Sequence, residues 1–75
     1  MQRGRTVEEF DLNGHEFVEL CNLLKLRGLC SSGGTAKLAI TAGQVSVDGR
    51  IELRRRCKIR AGQVVEFGGE RIAVV

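Results

Sequence analysis

Apolar residues recur at two periods along this chain, and each period predicts its own elements. Over residues 6–12, Val7, Phe10 and Leu12 are interspersed among acids and predict a short, imperfect strand. Phe17, Leu20, Cys21 and Leu24 follow at spacings of three and four, the single apolar stripe of a helix. Its start is predicted at Asn13-Gly14-His15-Glu16. There Asn13 would accept from the backbone N–H three residues on, while Glu16 reaches back in a capping box. Gly28, just after Lys25 and Arg27, stands where a left-handed residue would stop that helix. Ser31 or Ser32 would cap a second helix running to about Thr41, with Ala36, Ala39 and Ile40 facing inward and Gly43 ending it.

The second half of the chain changes to a period of two. Val45-Ser46-Val47 runs into Asp48-Gly49, a strong hairpin signal, and Ile51-Glu52-Leu53 reads as the returning strand. Beyond it Ile51, Leu53, Cys57, Ile59 and Ala61 alternate with Arg50, Arg54, Arg56, Lys58 and Arg60. This alternation predicts a strand with one face on the core and its charges on the other, bent or bulged at Arg55, which breaks the pattern. A turn at residues 61–63, a strand at 64–67, a Gly68-Gly69 turn and a strand at 71–75 complete the order. The class is α+β, two short helices packed on a small antiparallel sheet or meander.

Size and composition narrow the function. A chain of 75 residues reads as one domain with little room for a catalytic pocket, so no enzyme activity is expected. No apolar run approaches the ~18 residues of a membrane span, and the segment MQRGRTVEEF lacks the apolar stretch of a secretory signal. The three cysteines are an odd number without a CxxC pair, which argues against a disulfide framework and against zinc. A reducing cytoplasm is the expected compartment.

Charge is segregated. Residues 1–24 carry two basic against five acidic side chains, residues 25–60 nine against two, and residues 61–75 one against two. A one-sided field of this kind is the footprint of a polyanion binder. The run from Leu53 to Arg60 is either a solvated strand face that guards a sheet edge or a binding surface. Lys25, Arg27, Lys37 and Arg50, contributed by other elements, favour the second. The chain holds three Phe and no Tyr or Trp, so a platform for stacking single-stranded bases is missing and structured RNA or a duplex backbone fits better.

Other constellations lose to plainer readings. Residues 28–35 nearly spell a phosphate-binding loop, but Gly34 stands where its lysine is needed and the segment follows a helix rather than a strand. What survives is a helix start at Ser31 or Ser32, with Lys37 one turn on, as a plain cap or as a phosphate contact. His15 and Cys21 are six residues apart and off one helical face, so Cys21 reads as packing. No carboxylate pair spans a cleft and the lone histidine has no metal-ligand companions, so neither cofactor nor metal is expected. As a DNA-reading helix the second one exposes little beyond Lys37 and Thr41 or Thr35.

One spacing runs from the first helix through the Asp48-Gly49 hairpin without a gap. It comprises Leu20, Leu24, Gly28, Ser32, Ala36, Lys37, Ala39-Ile40, Gly43 and Val45-Ser46-Val47-Asp48-Gly49, with Gly62-Gln63-Val64 as a later turn. It resembles the RNA-binding domain first seen in ribosomal small-subunit protein S4, above all its small free-standing bacterial members. The resemblance implies an S4-like (alpha-L) fold over residues 1–75, with its core motif at about 15–67. It also implies a non-enzymatic, cytoplasmic RNA binder. Gly33 stands where relatives commonly carry Arg, and Glu19-Leu20-Cys21 where many have Arg-Leu-Asp, so charge is expected to have moved to Arg54, Arg55, Arg56 and Lys58. The expected RNA-binding residues are Lys25, Arg27, Ser32, Gly33, Gly34, Lys37, Arg50, Arg54, Arg55, Arg56 and Lys58. The expected partner is a structured RNA of the ribosomal or transfer class, or a ribosomal particle. The protein is expected to be a monomer that touches no membrane. The alternative is an adaptor that meets another protein with the same basic face.

Overall fold

The computed structural model describes residues 7–75. The expectation that the first strand begins at Thr6 therefore lies outside the described residues. The elements in chain order are β1 (Val7–Phe10), β2 (Val18–Glu19), α1 (Leu20–Leu26), α2 (Gly33–Thr41), β3 (Val45–Val47), β4 (Arg50–Ile51), β5 (Lys58–Ile59), β6 (Val64–Phe67) and β7 (Glu70–Val74).

The two periods of the sequence meet in one core. Leu20, Leu23 and Leu24 of α1 and Ile40 of α2 are fully buried against Val45, Val65 and Ile72 of the sheet. Each such side chain contributes on the order of 1.5–3 kcal/mol by leaving water. Ala36 and Ala39, both buried, are small enough to let α1 and α2 pack closely. Sheet order is β1-β7-β6-β3-β4, with β2 and β5 forming a separate two-stranded ladder. In the β6–β7 hairpin Val65 opposes Ile72 on the inner face, while Glu66 opposes Arg71 on the outer one. The Asp48-Gly49 turn forms as expected: both residues take positive φ, 52° and 84°, the twist that matches a tight hairpin. The class is α+β with a mostly antiparallel sheet, as the sequence predicts, although β1 joins β7 in parallel.

The sequence reading fails at two places, both for non-local reasons. The first helix does not start at Asn13. That residue sits at φ 55° in a turn, with its N–H donating to Asp11 Oδ1 at 2.7 Å. The chain then stays extended, because Val18 and Glu19 pair with Ile59 and Lys58, and α1 begins only at Leu20. Phe17 thus precedes the helix rather than heading its stripe.

The basic run is likewise not one alternating strand. β4 ends at Ile51, residues 52–57 form a loop turning at Arg55-Arg56, and only Lys58–Ile59 return to strand. Ile51 and Leu53, expected on the core face, are instead exposed, whereas Ile59 is fully buried and Cys57 partly so. The bend expected at Arg55 is present as that turn.

Candidate functional site

The basic loop is built onto the start of α1. The helix has no side-chain cap, since its N-cap residue Glu19 makes no such bond. Its free N–H groups instead donate to the loop: Leu20 N–H to the Cys57 carbonyl at 2.9 Å and Cys21 N–H to the Arg55 carbonyl at 3.1 Å. With these carbonyls turned inward, the arginine side chains are displayed to solvent, and those of Arg54 and Arg56 are each 77% exposed. Cys57 N–H closes the turn onto the Arg54 carbonyl at 3.2 Å. Glu52 anchors the loop's first half, accepting from Arg54 Nε at 2.9 Å and from Arg54 N–H at 2.9 Å. The side-chain and backbone bonds from Arg54 hold the Glu52 carboxyl down at about 2, well below the ordinary carboxylate range. Burial raises the Cys57 thiol, with the Glu52 charge adding to it, so this sulfur is not an activated nucleophile.

The start of α2 is organised differently. Ser32 is its N-cap, and its Oγ accepts from Thr35 N–H at 3.2 Å and lies 3.0 Å from Thr35 Oγ1. This settles the choice between the two serines. Gly33 and Gly34 form the first turn, where a Cβ on Gly33 would meet no atom within 4 Å and one on Gly34 would meet only Ser32 Oγ at 3.9 Å. The fold itself therefore imposes no need for glycine at either position. At the other end of α1, Gly28 takes φ 76° and its N–H donates to the Lys25 carbonyl at 3.0 Å, the expected stop.

The predicted cations divide into two groups. Arg27 is engaged with Glu8, Arg54 with Glu52 and Arg56 with Glu19, the last at 3.3 Å. Lys25, Lys37, Arg50, Arg55 and Lys58 are exposed and have no carboxylate within ion-pair distance among the described residues. Arg54, Arg56, Cys57 and Lys58 line one open hollow of about 440 Å³, whereas Lys25, Lys37 and Arg50 are carried by α1, α2 and β4 and do not line it. The structure also supplies a cation outside the expected set. Arg60 lies 5.7 Å from the centroid of the Phe17 ring, with Lys58 Nζ 5.0 Å from the same ring. The alternation of the basic run was the signal for Arg60; nothing in the sequence pointed to Phe17 as its platform. No group of three or more metal-ligating side chains occurs among the described residues, and no described helix is long and apolar enough to cross a membrane.

Comparison with known proteins fits this architecture. The family model of the S4 domain matches residues 10–75. The chain belongs to the S4 domain family. It is 58% identical over 66 residues to the YbcJ protein of Escherichia coli (strain K12), covering 88% of this chain and 94% of that one. The identity to YbcJ of Shigella flexneri is the same over the same share of each chain. A solution structure of YbcJ from E. coli, described as revealing an alpha-L motif involved in RNA binding, superposes with a TM-score of 0.74 at 52% identity. That match covers 100% of this chain and 95% of the other. The helix pair, the Asp48-Gly49 hairpin and the strands around them are thus those of an S4 domain with the alpha-L fold.

Proposed function

We propose that this S4 domain is a non-enzymatic RNA-binding protein that grips the phosphate backbone of a folded RNA with its basic face. The observation carrying the proposal is that five of the expected cations, Lys25, Lys37, Arg50, Arg55 and Lys58, are exposed and left without carboxylate partners among the described residues on a domain of this family. Exposed like charges repel, and a polyanion relieves that repulsion while releasing its own counterions. Arg55 is the loop's freely available arginine. Arg54 and Arg56 join only by exchanging Glu52 and Glu19 for phosphate, which makes their contacts weaker and geometry-dependent. The Gly33 and Gly34 amides, open to close approach, and the Ser32 hydroxyl complete the interface at the start of α2. Arg27, engaged with Glu8, contributes least.

Phosphate contacts position without reading sequence, so selectivity rests on RNA shape. Ribosomal or transfer RNA, free or in a ribosomal particle, offers such shapes to a cytoplasmic monomer. A salt titration with a structured RNA tests the proposal. With five cations each neutralising a phosphate, log K falls against log salt with a slope of about −4. A slope near zero would remove backbone binding. The exposed Ile51 and Leu53, 64% and 57% accessible beside the arginines, support a second reading in which the same face meets an acidic protein. Binding that survives nuclease treatment of an extract would favour that reading.

A further inference from the structure

Two of the three phenylalanines, Phe10 and Phe17, line a single open hollow of about 350 Å³ between the start of the chain's sheet and the outer side of α1. Leu26, 60% exposed, adds to its apolar wall, and Asp11, Asn13 and Asn22 place carboxylate and amide groups around it. This volume lies within the range of small-ligand sites, and an apolar wall with a few polar groups is their usual composition. Phe17 belongs to two features at once. Its ring borders the hollow, and it also carries Lys58 and Arg60, 5.0 and 5.7 Å from its centroid.

Lys58 in β5 and Arg60 just after it stand two residues apart, and neither has a carboxylate partner among the described residues. Gln63 fixes their strand by accepting from Arg60 N–H at 2.7 Å through its Oε1. Holding two like charges over one aromatic ring costs repulsion that the ring quadrupole only partly offsets. An anion seated between them would relieve it. Neither cation lines the hollow itself; both adjoin it through the Phe17 ring, so a phosphate would lie beside the hollow while its interior suits a flat, partly apolar ring with hydrogen-bonding edges. An unpaired nucleotide has both parts in one molecule.

We infer that the hollow beside Phe17 holds one unpaired nucleotide of the bound RNA. Its base lies against Phe10, Phe17 and Leu26, its edge is met by Asn22 or Asn13, and its phosphate is gripped by Lys58 and Arg60. The inference rests on the RNA-binding reading and extends it. It adds a subsite for a single extruded base, contrary to the expectation from composition that no stacking platform exists, to an interface otherwise made of backbone contacts, so the preferred RNA is a helix with a bulge or loop rather than a perfect duplex.

The test compares a 15-base-pair RNA hairpin carrying one bulged adenosine with the same hairpin fully paired. Wild-type protein should bind the bulged hairpin roughly tenfold more tightly, the scale of one base–aromatic contact. The exposed substitutions Asn22→Ala and Leu26→Asp, and the apolar replacement Phe17→Leu, should abolish that preference while leaving affinity for the paired hairpin within about twofold. Fold retention would be read from amide chemical shifts. Equal affinity of wild-type protein for both hairpins would overturn the subsite and leave backbone binding intact. A preference that survives all three variants would do the same. Failure to bind either hairpin would overturn the RNA-binding reading and the subsite with it.

Discussion

The two helices of this domain begin in opposite ways. α2 carries its own start: Ser32 caps it locally, three residues from the amide it satisfies. α1 borrows its start from residues more than thirty positions away, the carbonyls of Arg55 and Cys57. Both arrangements answer the same need, because the first N–H groups of any helix lack partners within it. The consequence differs. A local cap makes the start of α2 independent of distant residues, whereas the borrowed cap ties the arginine loop to α1, so the same contacts hold the helix start and position the charges.

Breaking the borrowed start should cost most. Ile59, fully buried, anchors the strand that follows the loop, and Ile59→Ala should destabilise the domain by about 2–5 kcal/mol in urea unfolding. Amide exchange at Leu20 and Cys21 should accelerate along with it, since their acceptors move with β5. Breaking the local start costs less: Ser32→Ala should lose about 1 kcal/mol and leave the arginine loop's amide shifts unchanged. A smaller effect sharpens the contrast through pH. The Glu52 carboxyl, held at about 2 by Arg54, lies below its ordinary value of about 4.3 in the unfolded chain. Its contact therefore stabilises the fold above pH ~4.3 and is lost as pH falls from there toward 2. Acid unfolding of Glu52→Gln should lack that component, which a comparison of the two pH–stability curves over this window would show.

The same contrast explains what could be read in the sequence. Ser32, Gly28, Gly43 and Asp48-Gly49 act through their own neighbours, and each stands in the structure where its residue type predicts. The buried faces of α1 and α2 are equally local in origin, set by 3–4 spacing. The capping box at Asn13 was a sound local signal that lost to pairing of Val18–Glu19 with Lys58–Ile59, a contact no short window contains. In the basic run, alternation located Ile59 and Cys57 but overreached to Ile51, which ends the exposed edge strand β4, and to Leu53, which lies in a loop that needs no buried face. For the candidate site, sequence revealed which residues are charged. It did not reveal which are already neutralised: Glu8, Glu19 and Glu52 claim Arg27, Arg56 and Arg54 across separations of 19, 37 and 2 residues. Nor did it reveal that Phe17 would lie beneath Lys58 and Arg60.

The central claim is that the basic face, with the arginine loop on the borrowed helix start as one part of it, binds RNA. Reversing the loop's charge, with Arg54, Arg55 and Arg56 together changed to Glu, tests it most directly, read as affinity for a structured RNA at fixed salt. The variant gives up the exposed Arg54–Glu52 and Arg56–Glu19 pairs, but the bonds that join the loop to α1 come from its backbone, so it should fold, which amide chemical shifts would verify. The account predicts a loss of at least a hundredfold across unrelated structured RNAs. A folded triple variant that binds them as tightly as the wild type would contradict it.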